Sequence, residues 1–501
     1  MPSLKVFRLS DVVSKLVQEG CSARLVGADA TVCGMSIDSR AIDENCLFVC
    51  KGASFKPQFL TMALQAGASA YVCEQTAEET LERNAPGVSH IVVENIRSTM
   101  AVAASFIYGH PDRALNVIGI TGTKGKSTTA YMLRSILNAA RMPSSILGSI
   151  ETDDGIVCHE SHNTTPEAPD LWRHLHNTEE SGRKIMVMEV SSHGLKYERV
   201  RGLRFETVCF LNIGRDHISP VEHSDFEDYF SSKLKIFDQC STAVINLDSE
   251  QIERITRAAC KAQRIVTFGI NRNDADYCAS NIHPSPKGIS FDLTAEGETR
   301  AITLGMAGTF NVSNALAAIV MARLSGVSFE HIAQGLASVR VPGRMEIVSS
   351  ADEQRLAIVD YAHNELSFKT LFESVKKEYP DRKIIAVFGA PGGKAEERRE
   401  CLPRVASAYA DLLIYTEEDP ANERVEDICA ELAANTPSGQ SYEIIPDRER
   451  AVVHAFQAAE GMPSIVLLLA KGDETTQHRG NDYIEVESDL AIAKRILSNQ
   501  H

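Results

Sequence analysis

The chain has 501 residues, too many for one hydrophobic core, and its length implies roughly three domains. Its composition, 44% hydrophobic and 24% charged, is that of an ordinary globular protein. A formal charge of −16 without any basic block excludes a protein that binds nucleic acid by neutralising phosphates.

From the N-terminus, the opening segment has only short apolar runs, broken by Lys5, Arg8 and Asp11, which does not read as an export signal. Runs that suit strands then alternate with amphipathic runs that suit helices. This predicts an α/β architecture with mainly parallel sheets. Residues 109–114 form a Pro-containing hinge before a predicted strand, Asn116 to Ile120. A glycine turn and a predicted helix, Ala130 to Ala140, follow. The apolar strand Ile185 to Met188 runs straight into Glu189. A second hinge, residues 340–344, precedes the strand Leu356 to Asp360. The hinges divide the chain into 1–112, 113–340 and 341–501, each a plausible domain length. Near the end, the apolar run Ile465 to Ala470 is far too short to span a bilayer, so no membrane insertion is expected. Twelve cysteines stand as singles without a C-x-x-C pair, the pattern of buried thiols in a reducing, cytoplasmic compartment.

The turn Thr121-Gly122-Thr123-Lys124-Gly125-Lys126-Ser127-Thr128 carries the clearest chemistry. Gly122 and Gly125 let backbone N–H groups face a phosphate, because no Cβ blocks the approach. Lys126 would reach the terminal phosphates and the Ser127 hydroxyl would ligate magnesium. Strict Walker spacing would put glycine where Ile120 stands, so the turn specifies a nucleotide but not a reaction. A carboxylate at a strand's carboxyl end, as at Glu189, suits magnesium facing such a loop. Ser191-Ser192-His193 lacks the G-x-S-x-G elbow of a serine hydrolase. His217, paired with Asp216, is a candidate site residue.

Several further stretches occur in a recognisable order: Asp38-Ser39-Arg40, Asn163-Thr164-Thr165-Pro166, Glu189-Val190-Ser191-Ser192-His193, Asn212 with Asp216-His217, Tyr229 to Lys235, Gly308 to Ala315, and Asp360-Tyr361-Ala362-His363. With the phosphate turn they resemble the Mur ligase family along nearly the whole chain. The resemblance implies a uridine-nucleotide domain, a central P-loop-type parallel sheet that binds ATP, and a C-terminal Rossmann-like domain. It implies ATP held by Gly122 to Thr128, Asn311, Arg344 and Asp360, and substrate held by Ser39, Thr164, Thr165, Ser191 and Arg199. Catalysis would rest on Lys126, Glu189, His217 and Lys233. Magnesium would be held by Ser127, Glu189 and Lys233, the lysine being carbamylated, since a plain ammonium would repel the metal.

In family members that add meso-diaminopimelate, a D-N-P-R run grips the second carboxylate through its arginine. Here the equivalent residues are Glu418-Asp419-Pro420-Ala421, and alanine cannot make that bidentate bond. With Glu474 for the α-amino group, the acidic run favours an amine-tipped side chain. The resemblance is therefore to the lysine-adding subgroup, acting on UDP-N-acetylmuramoyl-L-alanyl-D-glutamate and L-lysine, as a monomer. L-ornithine, meso-diaminopimelate or another Mur-like ligation are the alternatives. An inactive scaffold would be expected to lose Lys126, Glu189 or Lys233, and a P-loop motor would lack the N-T-T-P run; neither description fits.

Overall fold

The computed structural model describes residues 5–52, 55–161, 163–216, 218, 222–285, 288–480 and 482–498. They fall into two compact units, Met1–Phe268 with Ala317–Ser328, and Gly269–Leu316 with Phe329–His501.

Among its described residues, the first unit contains a two-stranded ribbon, Phe7–Arg8 with Thr31–Val32, and two larger sheets. The smaller runs Ala23–Val26, His90–Val93, Ala68–Glu74, Cys46–Val49, Gly34–Ser36, with only the first pair antiparallel. The larger begins with the antiparallel strands Cys158–Glu160 and Glu151–Asp153. It continues through Ser144–Leu147, Ile185–Glu189, Asn116–Thr121, Phe205–Phe210, Cys240–Asn246 and Arg264–Ile270, all parallel to one another. Near-continuous apolar strands are what a sheet covered on both faces requires. Trp172, Phe205, Phe210 and Phe230 are fully buried in one cluster with Val117, Met186 and Met188. Gly119 is fixed by this packing, because a Cβ there would lie 2.8 Å from the Phe205 ring.

Three boundaries differ from those expected. The helix after the phosphate turn is Lys126–Ala139 and begins earlier than its apolar pattern, since its first turn is polar and faces the loop. Asn116–Thr121 and Ile185–Glu189 each extend one residue further than their apolar runs. The hinge 109–114 contains a short 3-10 turn, Pro111–Arg113, entered through His110 at φ 55°.

The second unit has an antiparallel meander, Tyr277–Ser285, Gly288–Ala295 and Glu298–Leu304. A six-stranded sheet runs Glu346–Ser349, Arg355–Asp360, Ser464–Leu469, Lys383–Phe388, Leu412–Tyr415, Tyr442–Ile444, parallel except for the first strand, and Thr476–Arg479 pairs with Asp482–Glu485 in a separate ribbon. Helices alternate with these strands, the arrangement of an open, doubly wound sheet.

One buried guanidinium organises that sheet's carboxyl edge. Arg448 pairs with Asp489 at 2.8 and 2.6 Å, and donates to the Glu417 carbonyl at 2.9 Å and the Leu469 carbonyl at 2.8 Å. Arg448→Met would strand a buried carboxylate and two carbonyls, at a cost of about 3–5 kcal/mol. Urea unfolding should show that loss, and Asp489→Leu added to it should recover most of it. A neutral single substitution would refute this account.

Candidate active site

In the first unit, the loops that follow the parallel strands gather at one edge of the sheet. Gly125, at φ 86°, turns the chain into the helix Lys126–Ala139, whose N-terminus offers free amides to an anion. The loop is tied to the next strand's exit. Thr123 N donates to the Asn212 carbonyl at 3.1 Å and Lys124 N to Asn212 Oδ1 at 2.9 Å, while Asn212 Nδ2 returns a bond to the Lys124 carbonyl at 3.0 Å. Thr123 Oγ1 lies 3.0 Å from the Tyr229 hydroxyl, and Lys124 Nζ pairs with Asp216 at 3.1 Å. Ser127 and Thr128 are buried at the helix start.

Lys126 Nζ donates to the Gly122 carbonyl at 3.0 Å and the Thr123 carbonyl at 3.2 Å. Lys233, on the helix Phe226–Leu234, donates to that same Gly122 carbonyl at 3.0 Å. Lys233 is only 1% exposed, so it is not a solvated helix charge. Burial, reinforced by the Lys126 charge, holds its amine well below the usual lysine range.

Glu189 is also buried. Its Oε1 accepts from Ser149 N at 2.9 Å, and a Cβ on Gly148 would lie 2.3 Å from that oxygen, so a larger residue there would displace the carboxylate. Ser149 Oγ meets Thr164 Oγ1 at 2.8 Å. Thr165 Oγ1 donates to the Glu189 carbonyl at 3.0 Å and accepts from Ser191 N at 2.9 Å. Arg199 donates to the Thr165 carbonyl at 2.9 Å. A cavity of about 300 Å³ is lined by Lys126, Lys233, Arg199, Thr164, Ser191 and Ser192, among others. Lys126 and Arg199 bring positive charge to this cavity, which suits an anionic ligand.

Of the expected site residues in this unit, Ser39 is half-buried in the turn after Gly34–Ser36 and does not line that cavity. His217 lies outside the described residues. Sequence reasoning missed Glu167, whose carboxylate joins Arg199 at 2.8 Å and also pairs with Lys51. It also missed His223, which is completely buried against Ser192. Neither shows a sequence pattern beyond a lone polar residue near a motif.

Among the described residues, no three His, Cys, Asp or Glu side chains converge as a metal site. Magnesium takes few protein ligands and prefers hard oxygens. The Ser127 hydroxyl and Glu189 carboxylate fit that preference, and Lys233 fits it only as an anion.

In the second unit the strand-end loops bring together Asp360, Glu418, Asp419 and Glu474. Asp360 is buried and accepts from Met345 N at 2.9 Å and Ala362 N at 2.8 Å. Arg344 lies over the Tyr361 ring at 4.8 Å. Asn311 is buried, its Nδ2 donating to the Ala307 carbonyl at 2.7 Å. Asp419 takes Lys471 Nζ at 2.9 Å and His478 N at 3.1 Å; Lys471 also reaches Glu474 at 2.5 Å. Pro420 lies against Gly392, where a Cβ would meet the Pro420 carbonyl at 1.9 Å, and Ala421 adopts φ 49°. Glu418 differs from its neighbours. Arg398 approaches its Oε1 only to 3.9 Å, and among the described residues no donor reaches its Oε2. Burial, only partly offset by Arg398, pushes its carboxyl up to about 7.

Residues 120–322 match the Mur ligase middle domain, and residues 343–472 match the Mur ligase, glutamate ligase domain. The chain is 35% identical, over 92% of its length and 93% of the relative, to a UDP-N-acetylmuramyl-tripeptide synthetase of Lactobacillus delbrueckii subsp. bulgaricus. It is 34% identical, over 94% of its length and 92% of the relative, to a UDP-N-acetylmuramoyl-L-alanyl-D-glutamate–L-lysine ligase of Enterococcus faecalis. A solved UDP-N-acetylmuramoyl-L-alanyl-D-glutamate–2,6-diaminopimelate ligase superposes with TM-score 0.64 at 25% identity, covering 95% of this chain and 98% of that one. With a phosphate turn, a buried carboxylate and a buried lysine gathered at one sheet edge, and relatives matched over nearly their whole length, the chain belongs to the Mur ligase family.

Proposed function

We propose that this ligase adds L-lysine to UDP-N-acetylmuramoyl-L-alanyl-D-glutamate, using ATP, in peptidoglycan synthesis. The observation that carries the lysine assignment is Glu418, a buried carboxylate with one oxygen that no donor among the described residues reaches, in a run where Ala421 replaces a carboxylate-gripping arginine. A buried carboxylate is completed by an ammonium, whereas a second carboxylate there would be repelled. The lysine-ligase names of relatives at 33–34% identity support the same choice. The reading takes the three segments 1–112, 113–340 and 341–501 as uridine-nucleotide, ATP and amino-acid domains. It takes the enzyme as a cytoplasmic monomer.

In the proposed mechanism, the phosphate turn Gly122 to Thr128 holds ATP, and Asn311, Arg344 and Asp360 bind its nucleoside and phosphate ends. Ser39, Thr164, Thr165, Ser191 and Arg199 hold the peptide-bearing nucleotide. Lys126 leaves the Gly122 carbonyl for the transferring phosphoryl oxygens. A neutral, buried Lys233 amine can bond to the carbon of carbon dioxide and release a proton, becoming a carbamate anion. Magnesium, held by Ser127, Glu189 and carbamylated Lys233, would supply positive charge to the phosphoryl oxygens. The substrate carboxylate attacks the γ-phosphorus and ADP leaves. The amino acid's amine then attacks the acyl phosphate, inorganic phosphate leaves and one proton is released. Asp419, Pro420 and Ala421 shape the amino-acid site, Glu418 takes the side-chain ammonium and Glu474 the α-amino group. His217 completes the proposed set.

With the muramoyl dipeptide nucleotide, ATP, magnesium and equal lysine, ornithine and diaminopimelate, mass spectrometry should find chiefly the lysine product. A diaminopimelate product would overturn the assignment. Lys233→Ala should lower turnover about a hundredfold or more, with partial rescue by formate or acetate; an unimpaired bare variant would dispose of the carbamate. The raised Glu418 carboxyl contributes stability that is present below the unfolded carboxyl range and lost as pH rises through about 7. Glu418→Gln should therefore flatten the fall in unfolding free energy over that window. Lysine binding near pH 6 should release a proton, as calorimetry in buffers of different ionisation enthalpy would register. Proton uptake instead would contradict the role given to Glu418.

A further inference from the structure

Arg199 lines the cavity in the first unit, but the carboxylate that pairs with it does not. The short helix Ser192–Lys196 ends in a sharp turn, where Glu198 adopts φ 58° and Arg199 N donates back to the Gly194 carbonyl at 2.9 Å. The guanidinium then meets one loop twice. Its Nη1 donates to the Thr165 carbonyl at 2.9 Å, and its Nη2 lies 2.8 Å from Glu167 Oε1. No acceptor among the described residues reaches its Nε. A guanidinium carries five N–H donors, so donors remain for a ligand at the cavity wall. Glu167 stands at the N-cap of the helix Ala168–Glu180, where a side chain ordinarily accepts from the first amides of its own helix. Its carboxylate makes no such bond. It reaches two cations from elsewhere in the chain instead. Oε1 takes Arg199, and Oε2 accepts from Lys51 Nζ. Lys51 follows the strand Cys46–Val49 of the smaller sheet, so this contact joins segment 1–112 to the cavity wall. The side chains of Lys51, Glu167 and Arg199 are 13%, 15% and 17% exposed, so water screens their charges only in part.

We infer that Glu167 is a positioning residue that holds Arg199 at the cavity wall, and that Lys51, by binding the same carboxylate, preserves the positive charge Arg199 offers to the acceptor substrate. A carboxylate set against Arg199 alone would cancel that charge. Shared between two cations, it orients the guanidinium and still leaves the cluster positive. Neither Glu167 nor Lys51 lines the cavity, so both act through Arg199. Segment 1–112 thereby tunes the peptide end of the site from outside it.

This inference rests on the proposed reading that Arg199 holds the peptide-bearing nucleotide. Kd for UDP-N-acetylmuramoyl-L-alanyl-D-glutamate is measured by calorimetry, and KM and kcat by phosphate release with ATP and lysine. Lys51→Met should weaken that affinity about tenfold, with the loss in KM rather than kcat, because the Glu167 charge then falls wholly on Arg199. Lys51→Arg, which keeps the charge, should retain most of the affinity. Adding Glu167→Gln to Lys51→Met should restore most of what was lost, since the amide oxygen still accepts from Arg199 and carries no charge. Adding Glu167→Ala should not, since Arg199 then loses its acceptor. Lys51→Gln, paired with the same second substitutions, repeats the comparison should Lys51→Met not fold. A mere clip between two segments would lose more with each substitution and recover with neither. An unweakened Lys51→Met, or a defect that Glu167→Gln leaves in place, would therefore overturn the inference. Equal recovery with Gln and Ala would overturn the positioning role of Glu167. Failure of the wild type to bind and turn over the dipeptide nucleotide would instead defeat the functional reading itself.

Discussion

Two lysine side chains converge on a single backbone carbonyl, that of Gly122, and the residues gathered at this sheet edge must accommodate both amines. Like charges this close in a buried setting are tolerable only if one is neutralised or an anion joins them. Lys126 stands at the mouth of a helix whose free amides also want an anion, and Lys233 is fully enclosed. The parallel sheet brings this about. Its strand ends deliver the phosphate turn, Glu189 and Asn212 to one edge, so residues distant in sequence meet without a long loop.

The second unit handles buried charge differently. Asp419 and Glu474 are held by Lys471, and Glu417 by Arg479 in a bidentate pair at 3.1 and 2.5 Å. These acids are satisfied from within the chain. Glu418 differs, since no donor among the described residues reaches its Oε2 and burial pushes its carboxyl up to about 7. One loop thereby carries both paired acids and one that the fold leaves incompletely satisfied.

Much of this was legible from the sequence because glycines and apolar runs carry direct backbone consequences. The strand entering Gly122, the glycine turn and the carboxylate at the end of Ile185–Glu189 follow from local pattern alone. Helix starts were harder to read, as at Lys126, because the first turn of a ligand-facing helix is polar and breaks the apolar periodicity. Long-range partnerships were out of reach. Nothing near Glu167 announces Lys51 and Arg199, and nothing near Ser192 announces His223 and Asp228, since register and crossing of elements decide which side chains meet. Burial was equally hidden: Lys233 and Lys235 look alike in the sequence, yet one is enclosed and the other is exposed.

The Arg448 guanidinium ties together two segments that are distant in sequence. Its bonds to the carbonyls of Glu417 and Leu469 suspend the strand ends leading to Glu418 and Glu474 from one rigid plane. The two segments are therefore coupled, and a change at Arg448 would release both at once, never one alone.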